Sequence, residues 1–466
     1  MESNVVRAED VLMRADALKR TLDVSFRDKI VEAIYADAEA IAGKVVRKEG
    51  TGRFDLDQRI DRIVTSKVWG LPLMGLLLAG VFWVTIVGAN VPSQLLATAL
   101  FWIEDQGSAL FDLIGMPWWL TGFLWHGIYR GLAWVVAVML PPMAIFFPIF
   151  TILEDLGYLP RVAFNVDKFF KAAGAHGKQA LTMSMGLGCN AAGVIACRVI
   201  DSPRERLIAI LTNNFMPCNG RWPTLIMLAT IFVAAAFPPA FAALAAAGSL
   251  LLIVVVGAVM TLVVSSVLSR TFLKGEASSF TLELPPYRRP NILQVLYTSV
   301  IDRTLFVLWR AVVMAAPAGG VIWLMSNVHV AGQSLTTWVS GWLNPVGLAI
   351  GLDGVILLAY IIALPANEIV VPTILMAYTN AGMMIELDSL TQLQQLLVGQ
   401  QGWTMLTAIS LMLFALLHNP CSTTIWTVYK ETKSAKWAAV SGLMPLSIAF
   451  GLLFVLNQGI RLLGLV

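Results

Sequence analysis

The sequence contains 466 residues, of which 58% are hydrophobic and 13% are charged, and its formal net charge is +3. Soluble domains are about 45–50% apolar and about 25% charged. This composition, with a mean hydropathy of +0.75, excludes an ordinary soluble protein and predicts an all-α polytopic membrane protein. The small net charge and the lack of basic stretches interleaved with aromatic residues exclude a nucleic-acid-binding protein. Four cysteines in apolar surroundings do not form a secreted disulfide framework.

The chain begins with a polar segment, residues 1–67, in which charged residues recur throughout. Apolar residues repeat there at helical spacing, so we expect a short helical arm and no cleavable signal peptide. Residues 68–125 form the next region, which contains a first hydrophobic span at about 70–90. Its later part, 93–115, is amphipathic, and we expect it to lie at the membrane interface.

Apolar runs long enough to cross a bilayer, about 20 residues as a helix, recur along the rest of the chain. They lie near 130–153, 207–235, 241–269, 304–326, 346–380, 404–428 and 437–457. With the Gly-, Ala- and Cys-rich stretch at 178–200, they predict about eight to ten membrane segments. We divide this part of the chain into regions at 126–269 and 304–466, joined by a cytoplasmic linker at 270–303.

Lys and Arg are distributed unevenly, which predicts the orientation of the chain. They are frequent in the arm, in 161–206, in 270–303 and in 430–436, and none lies between Leu71 and His126 or between Ala311 and Tyr429. Cytoplasmic loops of membrane proteins carry the excess of basic residues. We therefore expect a multi-pass protein with a cytoplasmic N-terminus.

Several of the apolar runs contain residues that interrupt a helix. These are Pro141, Pro142, Pro148, Pro365, Pro372, the Gly-rich stretch 186–193 and the Asn-Pro-Cys sequence 419–421. Proline removes a backbone hydrogen bond, and non-helical backbone at membrane depth occurs where it is buried in protein or lines a cavity. Each half of the chain has one proline-interrupted run and one cysteine-centred break. The pattern predicts a transporter of two repeats, with its site where the broken or re-entrant helices meet.

Three of the four cysteines lie at such breaks, in LGCNAAG (187–193), MPCNG (216–220) and HNPCS (418–422). A buried free cysteine is usually a small hydrophobic residue, but three beside breaks indicate more. Cys189, Cys218 and Cys421, with Asn190 and exposed backbone carbonyls, form a ligand set that suits a divalent transition metal. Their spacing is not that of a structural zinc site.

Acidic residues within apolar runs are costly and are therefore functional candidates. Glu368, in LPANEIVVP, is expected to lie on the pathway, whereas Glu154 either joins it or anchors the end of a span. Packing is the favoured role of Met183 and Cys197. No phosphate-loop sequence or catalytic triad is present, so we expect a permease rather than an enzyme.

Several longer stretches resemble the membrane region of the ferrous iron transport protein B (FeoB) family, in the same order, from about residue 55 to the C-terminus. They include LEDLGYLPRVAFNVDKFF (153–170), GLGCNAAGVIACRVIDSPRERLIAILTNNFMPCNGRWP (186–223), ELPPYRRPNILQVL (283–296), LPANEIVVPTI (364–374) and HNPCSTTIWTVYKE (418–431).

The resemblance implies an inner-membrane permease that takes Fe²⁺ into the cytoplasm between two gate motifs. Cys189, Cys218, Cys421, Glu154 and Glu368 match positions of the family's motifs. The backbone at the helix breaks of the family's gate motifs corresponds to Gly186, Gly188, Pro217 and Pro420. Fe²⁺ is then the transported substrate, and no cofactor is expected to be bound permanently.

The sequence also departs from the family. Only about 67 residues precede the membrane region. We therefore expect either that the family's GTPase domain is a separate polypeptide that docks on residues 1–67, or that the protein works without one. Asn367 replaces the usual lysine before Glu368, and Ala191-Ala192-Gly193 replaces a proline-containing sequence. Transport of Mn²⁺, Zn²⁺ or Co²⁺, transport of an organic solute such as a nucleoside, a non-transporting scaffold and a homo-oligomer remain open alternatives.

Overall fold

Helices dominate this computed structural model, which describes residues 26–45, 52–66, 68–274, 286–330, 332–385 and 390–464. The first helices are α1 (Phe26–Val45), α2 (Gly52–Val64) and α3 (Gly70–Leu113). The first half continues with α4 (Trp118–Thr121), a π-helix (Gly122–Tyr129), α5 (Arg130–Asp155), α6 (Tyr158–Ala172), α7 (Gln179–Gly188), α8 (Asn190–Ala196), a 3₁₀ turn (Cys197–Val199), α9 (Pro203–Thr212), 3₁₀ turns (Asn213–Phe215 and Asn219–Arg221), α10 (Trp222–Leu228), a π-helix (Ala229–Val233), a 3₁₀ turn (Ala234–Ala236) and α11 (Pro239–Arg270).

The second half follows the linker. It contains α12 (Ile292–Tyr297), a π-helix (Thr298–Leu305), α13 (Phe306–Asn327), the antiparallel strands β1 (His329–Val330) and β2 (Gln333–Ser334), α14 (Leu335–Ala349), α15 (Gly354–Ile362), a 3₁₀ turn (Asn367–Ile369), α16 (Val370–Thr379), α17 (Leu390–Gln394), a π-helix (Gln395–Gln400), α18 (Met405–Leu417), α19 (Ser422–Thr432) and α20 (Ala435–Leu462).

Within the described residues, six helical segments are long and apolar enough to cross a membrane. They are Gly70–Leu113, Trp118–Asp155, Pro239–Arg270, Val307–Asn327, Met405–Thr432 and Ala435–Leu462. The pair α14 and α15 makes a seventh if it is counted as one span bent by 110°. The prediction of eight to ten segments from the sequence includes the apolar runs at 178–200 and 207–235 as membrane segments. Both runs fold instead into short helices separated by breaks.

Two long helices continue through positions where the sequence predicts an interruption. Helix α3 runs through Pro92 to Leu113, so 93–115 is not a separate interfacial segment, and α5 runs through Pro141, Pro142 and Pro148. A proline removes one backbone hydrogen bond, but the helix persists where neighbouring helices pack along it. Helices α3 and α5 pack along each other in this way.

The two halves approach each other closely at a contact made of glycines. The π-helix and the start of α5 meet α13 there, with Gly127 and Gly131 facing Gly319. A Cβ atom on Gly319 would lie 2.3 Å from the Gly127 carbonyl oxygen, and one on Gly131 would lie 2.9 Å from the Gly319 Cα. Only glycine fits these positions, as in other membrane helices whose backbones pack directly.

The molecule has two distinct ends, which we name by their residues. The hairpin face carries β1 and β2, where α13 ends at Asn327. The basic face lies near Arg310, close to the start of α13. At a rise of about 1.5 Å per residue, Arg310 and Asn327 are about 26 Å apart along this helix. At the basic face Arg198 of the first half donates two hydrogen bonds, of 2.8 and 2.7 Å, to the Glu431 carboxylate of the second half.

A polar contact joins α2, which precedes the first span, to α6 and the linker. The buried Arg161 donates to both Asp61 carboxylate oxygens, over 3.0 and 3.2 Å, and the Tyr287 hydroxyl donates to the same carboxylate over 2.8 Å. Burial raises the pKa of Asp61, but these hydrogen bonds and the Arg161 charge outweigh it, so the pKa is lowered overall. Helix α2 thus has a fixed connection to the first half.

Candidate functional site

One helix break in each half begins with the same backbone geometry. Cys189 separates α7 from α8 with φ −153° and ψ 122°, and Ala366 precedes the 3₁₀ turn before α16 with φ −152° and ψ 116°. An asparagine follows each of them, Asn190 and Asn367. In structural terms, Cys189-Asn190 of the first half therefore corresponds to Ala366-Asn367 of the second.

A second break in each half has the sequence Pro-Cys. Cys218 follows Pro217 with φ −87° and ψ 172°, and Cys421 follows Pro420 with φ −61° and ψ 157°. In both cases the cysteine is the extended residue that precedes a new helical segment. Each half therefore contributes one Asn break and one Pro-Cys break, although only the first half has cysteine at both.

All four breaks line one small buried cavity of about 30 Å³. Its polar and sulfur-containing lining is Cys189, Asn190, Cys218, Asn367, Glu368, Cys421, Thr423, Thr424, Met139 and Met143. The four cysteines of the chain are free thiols, and three of them contribute to this lining. The cavity therefore combines thiol, thioether, carboxyl, amide and hydroxyl groups at the point where helical backbone is interrupted.

Glu368 lies against a glycine of the opposite half. It is 7% exposed, and a Cβ atom on Gly220 would lie 2.5 Å from its Oε1 atom. Within the described ranges no Lys or Arg forms a salt bridge with Glu368. Thr423, which is 7% exposed, has a hydroxyl without a hydrogen-bond partner among the same residues. Buried polar groups are normally satisfied, so the cavity lining contains a buried carboxyl group without an ion-pair partner and a hydroxyl group without a hydrogen-bond partner among the described residues.

Arg221 holds breaks of both halves together from behind the cavity. It is 1% exposed and donates to the carbonyl oxygens of Asn214 and Leu416, each over 2.7 Å, and of His418, over 3.1 Å. Its guanidinium group also donates to the Asn214 side chain over 2.9 Å. One fully buried side chain therefore fixes the backbone before Cys218 and before Cys421 at the same time.

Asparagine side chains complete the connections between the breaks. Asn213 donates to the Asn190 carbonyl oxygen over 3.1 Å, and Asn214 donates to the His418 carbonyl oxygen over 2.8 Å. In the second half the Ser422 amide donates to the Leu364 carbonyl oxygen over 2.8 Å. These bonds satisfy backbone groups that the breaks leave without helical partners.

Some of the predicted site residues lie outside the cavity. Glu154 lines a larger cavity of about 720 Å³ at the basic face, together with Arg198, Arg310 and Glu431. Gly188 lines the small cavity, whereas Gly186 packs against Asn213.

Other candidates at the breaks have packing or hydrogen-bonding roles. Pro217 and Pro420 are buried beside their cysteines. The Nδ1 atom of His418 lies 3.0 and 2.9 Å from the carbonyl oxygens of Phe414 and Ala415, which occupies this nitrogen. Cys197 is buried in a separate apolar cluster of residues, in agreement with a packing role.

The cavity is not a closed metal-binding site. Among the described residues, no three His, Cys, Asp or Glu side chains lie close enough together to hold a metal ion. Cys189, Cys218, Cys421 and Glu368 therefore share a cavity without forming a compact ligand set.

Two buried charged residues were missed from the sequence. Arg221 lies in the quoted CNGRWP stretch but carries no motif of its own. Glu104, which is 1% exposed, lies 2.6 Å from His126 Nδ1 and 3.0 Å from Arg130 Nη1. The sequence signal for Glu104 is an acidic residue in an apolar run. The expectation that 93–115 lies at the membrane interface hides this signal, because an acidic residue is ordinary there.

Comparisons with known proteins agree with this architecture. The Gate family model, described as "Nucleoside recognition", matches residues 136–232 and 308–435, which contain all four breaks. A model described as "Ferrous iron transport protein B C terminus" matches residues 250–302. The fold and the Gate matches define an all-α polytopic membrane protein with a Gate domain.

Curated relatives identify the family more closely. The chain is 30% identical to an Fe(2+) transporter FeoB of Staphylococcus aureus (strain MSSA476), over 96% of this chain and 65% of the relative. It is 28% identical to that of Synechocystis sp. (strain ATCC 27184), over 92% and 67%, and 26% identical to that of Legionella pneumophila (strain Lens), over 80% and 50%. Both family models and these relatives thus relate the chain to Gate-domain and FeoB proteins by similarity. The chain spans about two thirds or less of these relatives' length, and no solved structure matches it significantly.

Proposed function

We propose that this protein is a permease that carries Fe²⁺ into the cytoplasm through the cavity between its two halves. The observation that carries the proposal is the convergence of four helix breaks, three cysteines and Glu368 on one buried cavity. The relatives named Fe(2+) transporter FeoB support Fe²⁺ as the substrate. Thiol and carboxyl groups are ligands that suit such a borderline divalent metal better than Mg²⁺ or Ca²⁺.

The size of the cavity supports transfer of an ion that has lost most of its water. About 30 Å³ is roughly the share of one water molecule in the liquid. The donors that line the cavity replace part of the lost hydration without holding the ion as one ligand set. They are Cys189, Cys421 and Glu368, with Asn190 and Cys218 beside them. A transported ion must bind well enough to enter and weakly enough to leave. The absence of a compact three-ligand group among the described residues supports that behaviour.

Orientation and partners belong to the same proposal. The basic face is placed in the cytoplasm because Lys and Arg concentrate on that side of inner-membrane proteins, and the hairpin face then lies outside. Released Fe²⁺ passes Glu154 in the larger cavity of the basic face. A separate GTPase is proposed to dock on the segment 1–67. Helix α1 supports this, because it exposes an apolar stripe at Ile30, Ile34, Ile41 and Val45.

The test is uptake of radiolabelled Fe²⁺ by proteoliposomes of the purified chain under reducing conditions. We expect saturable uptake that falls at least about tenfold, or about 1.4 kcal/mol, in Cys189→Ser. Cys197→Ser is the matched control, since Cys197 is also buried but lies in a separate cluster, and its uptake should stay within about twofold. Competition by Mn²⁺, Zn²⁺ and Co²⁺ then ranks the metals.

Two results would overturn the proposal. Uptake that is unaffected by Cys189→Ser would remove the cysteine-lined cavity from the pathway. Absence of uptake even when the GTPase partner and GTP are supplied would favour a scaffold or another substrate. A nucleoside is disfavoured at this cavity, because pockets for small organic molecules typically occupy about 300–1,000 Å³.

A further inference from the structure

A polar cleft opens at the hairpin face, away from the cysteine-lined cavity. Its volume is about 500 Å³, and its lining includes Asn327, His329, Thr336, Met376 and Asn380. None of its described lining residues is Lys, Arg, Asp or Glu. The cleft is large enough for an ion with its hydration shell, since six waters occupy about 180 Å³ in the liquid. The cysteine-lined cavity is too small for that.

His329 presents one ring nitrogen to this cleft in a form suited to metal binding. Its Nδ1 atom lies 3.0 Å from the backbone carbonyl oxygen of Asn327. A carbonyl oxygen can only accept a hydrogen bond, so Nδ1 carries the proton and Nε2 of the neutral ring keeps its lone pair. Metal-binding histidines are commonly held in this way, by a carbonyl group on the other nitrogen. His329 is exposed and is therefore accessible from water.

Thr336 supplies an independent indication that the cleft takes a guest. Its side chain is 4% exposed, and its hydroxyl has no hydrogen-bond partner among the described residues. A buried hydroxyl without a partner is unfavourable, because it has lost its hydrogen bonds to water. A hydrated ion in the cleft brings water molecules that can satisfy it.

The electrostatics of the cleft favour a cation. Helices α13 and α16 both end at the cleft, at Asn327 and at Thr379 followed by Asn380. The last carbonyl groups of a helix lack intrahelical partners and form the negative end of its dipole. Helix α14 begins there with its positive end, but the Ser334 side chain accepts a hydrogen bond from the Thr337 amide and caps it. The ends of α13 and α16 are capped as well, by the Asn327 side chain on the Trp323 carbonyl oxygen and by the Ala381 amide on the Met376 carbonyl oxygen. Two negative helix ends and one positive end therefore lie at the cleft.

Helix α16 connects this cleft with the cysteine-lined cavity. Glu368 lies just before its start, and Met376 lines the cleft near its end. Met376 is eight positions after Glu368, which corresponds to about 12 Å along a helix. An ion in the cleft is therefore a short distance from the carboxyl group at which it would lose its water.

We propose that the cleft is the first binding site of a hydrated divalent transition-metal ion arriving from the hairpin side. His329 Nε2 is the direct ligand, and water molecules on the ion bridge to Thr336 and Asn380. An imidazole ligand favours transition metals over Mg²⁺ and Ca²⁺, so the cleft also selects. The assignment of this ion as transported cargo rests on the proposed function, whereas binding in the cleft does not.

The first test measures binding without transport. The full chain carrying Cys189→Ser and Cys421→Ser, in nanodiscs, is titrated with Co²⁺ as the probe by equilibrium dialysis. We expect binding to persist in this variant and to weaken at least about tenfold when His329→Ala is added. Val330→Ala, on the same strand but outside the cleft lining, is the matched control and should bind as before. Unchanged Co²⁺ binding in His329→Ala, with a normal elution profile on size exclusion, overturns the site.

The second test separates this inference from the proposed function. In proteoliposomes, His329→Ala should raise the half-saturating Fe²⁺ concentration at least about fivefold and leave the maximal rate within about twofold, in contrast to Cys189→Ser. Loss of Co²⁺ binding in His329→Ala without Fe²⁺ uptake by the unmodified chain would support the site and count against the proposed function. Fe²⁺ uptake with unchanged half-saturation and unchanged Co²⁺ binding in His329→Ala would overturn the site alone.

Discussion

The lack of a side chain at Gly220 determines where the Glu368 carboxyl group can lie in the cavity. A Cβ atom there would lie 2.5 Å from Glu368 Oε1, so Gly220→Ala must displace the carboxyl group. We expect Fe²⁺ uptake to fall about tenfold, or about 1.4 kcal/mol in the barrier. Gly248→Ala is the control, because nothing lies within 4 Å of a Cβ atom at that helical position. Equal uptake by both variants would show that the position of this carboxyl group does not matter.

Arg221 holds together two structural elements, the breaks before Cys218 and Cys421, which belong to different halves. Arg221→Met leaves buried carbonyl oxygens in both halves without a donor, and each such group costs about 1–3 kcal/mol. We expect a lower midpoint of thermal unfolding in detergent, by at least a few degrees, and loss of uptake. Arg461→Met is the control, since this exposed residue donates one hydrogen bond, of 2.7 Å, to a carbonyl group. An unchanged midpoint for Arg221→Met would mean that the breaks hold their geometry without it.

The Arg198–Glu431 pair connects the two halves of the whole molecule at the basic face. Exposed ion pairs contribute only about 0–1 kcal/mol, so Arg198→Glu should leave the fold intact and shift the balance toward an open basic face. We expect the cavity cysteines to react about threefold to fivefold faster with a maleimide added from that side. The added change Glu431→Arg should restore the original rate. Asp201→Lys, which disrupts a pair within the first half, is the control, and acceleration by that variant as well would contradict a specific role for Arg198.

Much of this site could be predicted from the sequence, because the residues that interrupt a helix are neighbours in the chain. The Gly-Cys-Asn sequence at Cys189 and the Pro-Cys sequences at Cys218 and Cys421 each lie at an interruption of helix, and with Glu368 these residues line one cavity. Their role in transport remains a prediction. Arg221 was not predicted, because burial of an arginine against carbonyl groups more than 190 residues away depends on tertiary packing. The same reason explains why α5 remains continuous through three prolines.

The glycine contact between Gly127, Gly131 and Gly319 has a mechanical consequence. Helices that interlock through side chains must change rotamers before their crossing angle can change, whereas backbones in direct contact have none to change there. The contact would therefore allow the halves to rotate relative to each other with little repacking, and it lies in the half of α13 nearer the hairpin face. In such a rotation, the parts farthest from the contact would move most. The largest relative movement would then fall at the basic face, where the Arg198–Glu431 ion pair joins the halves.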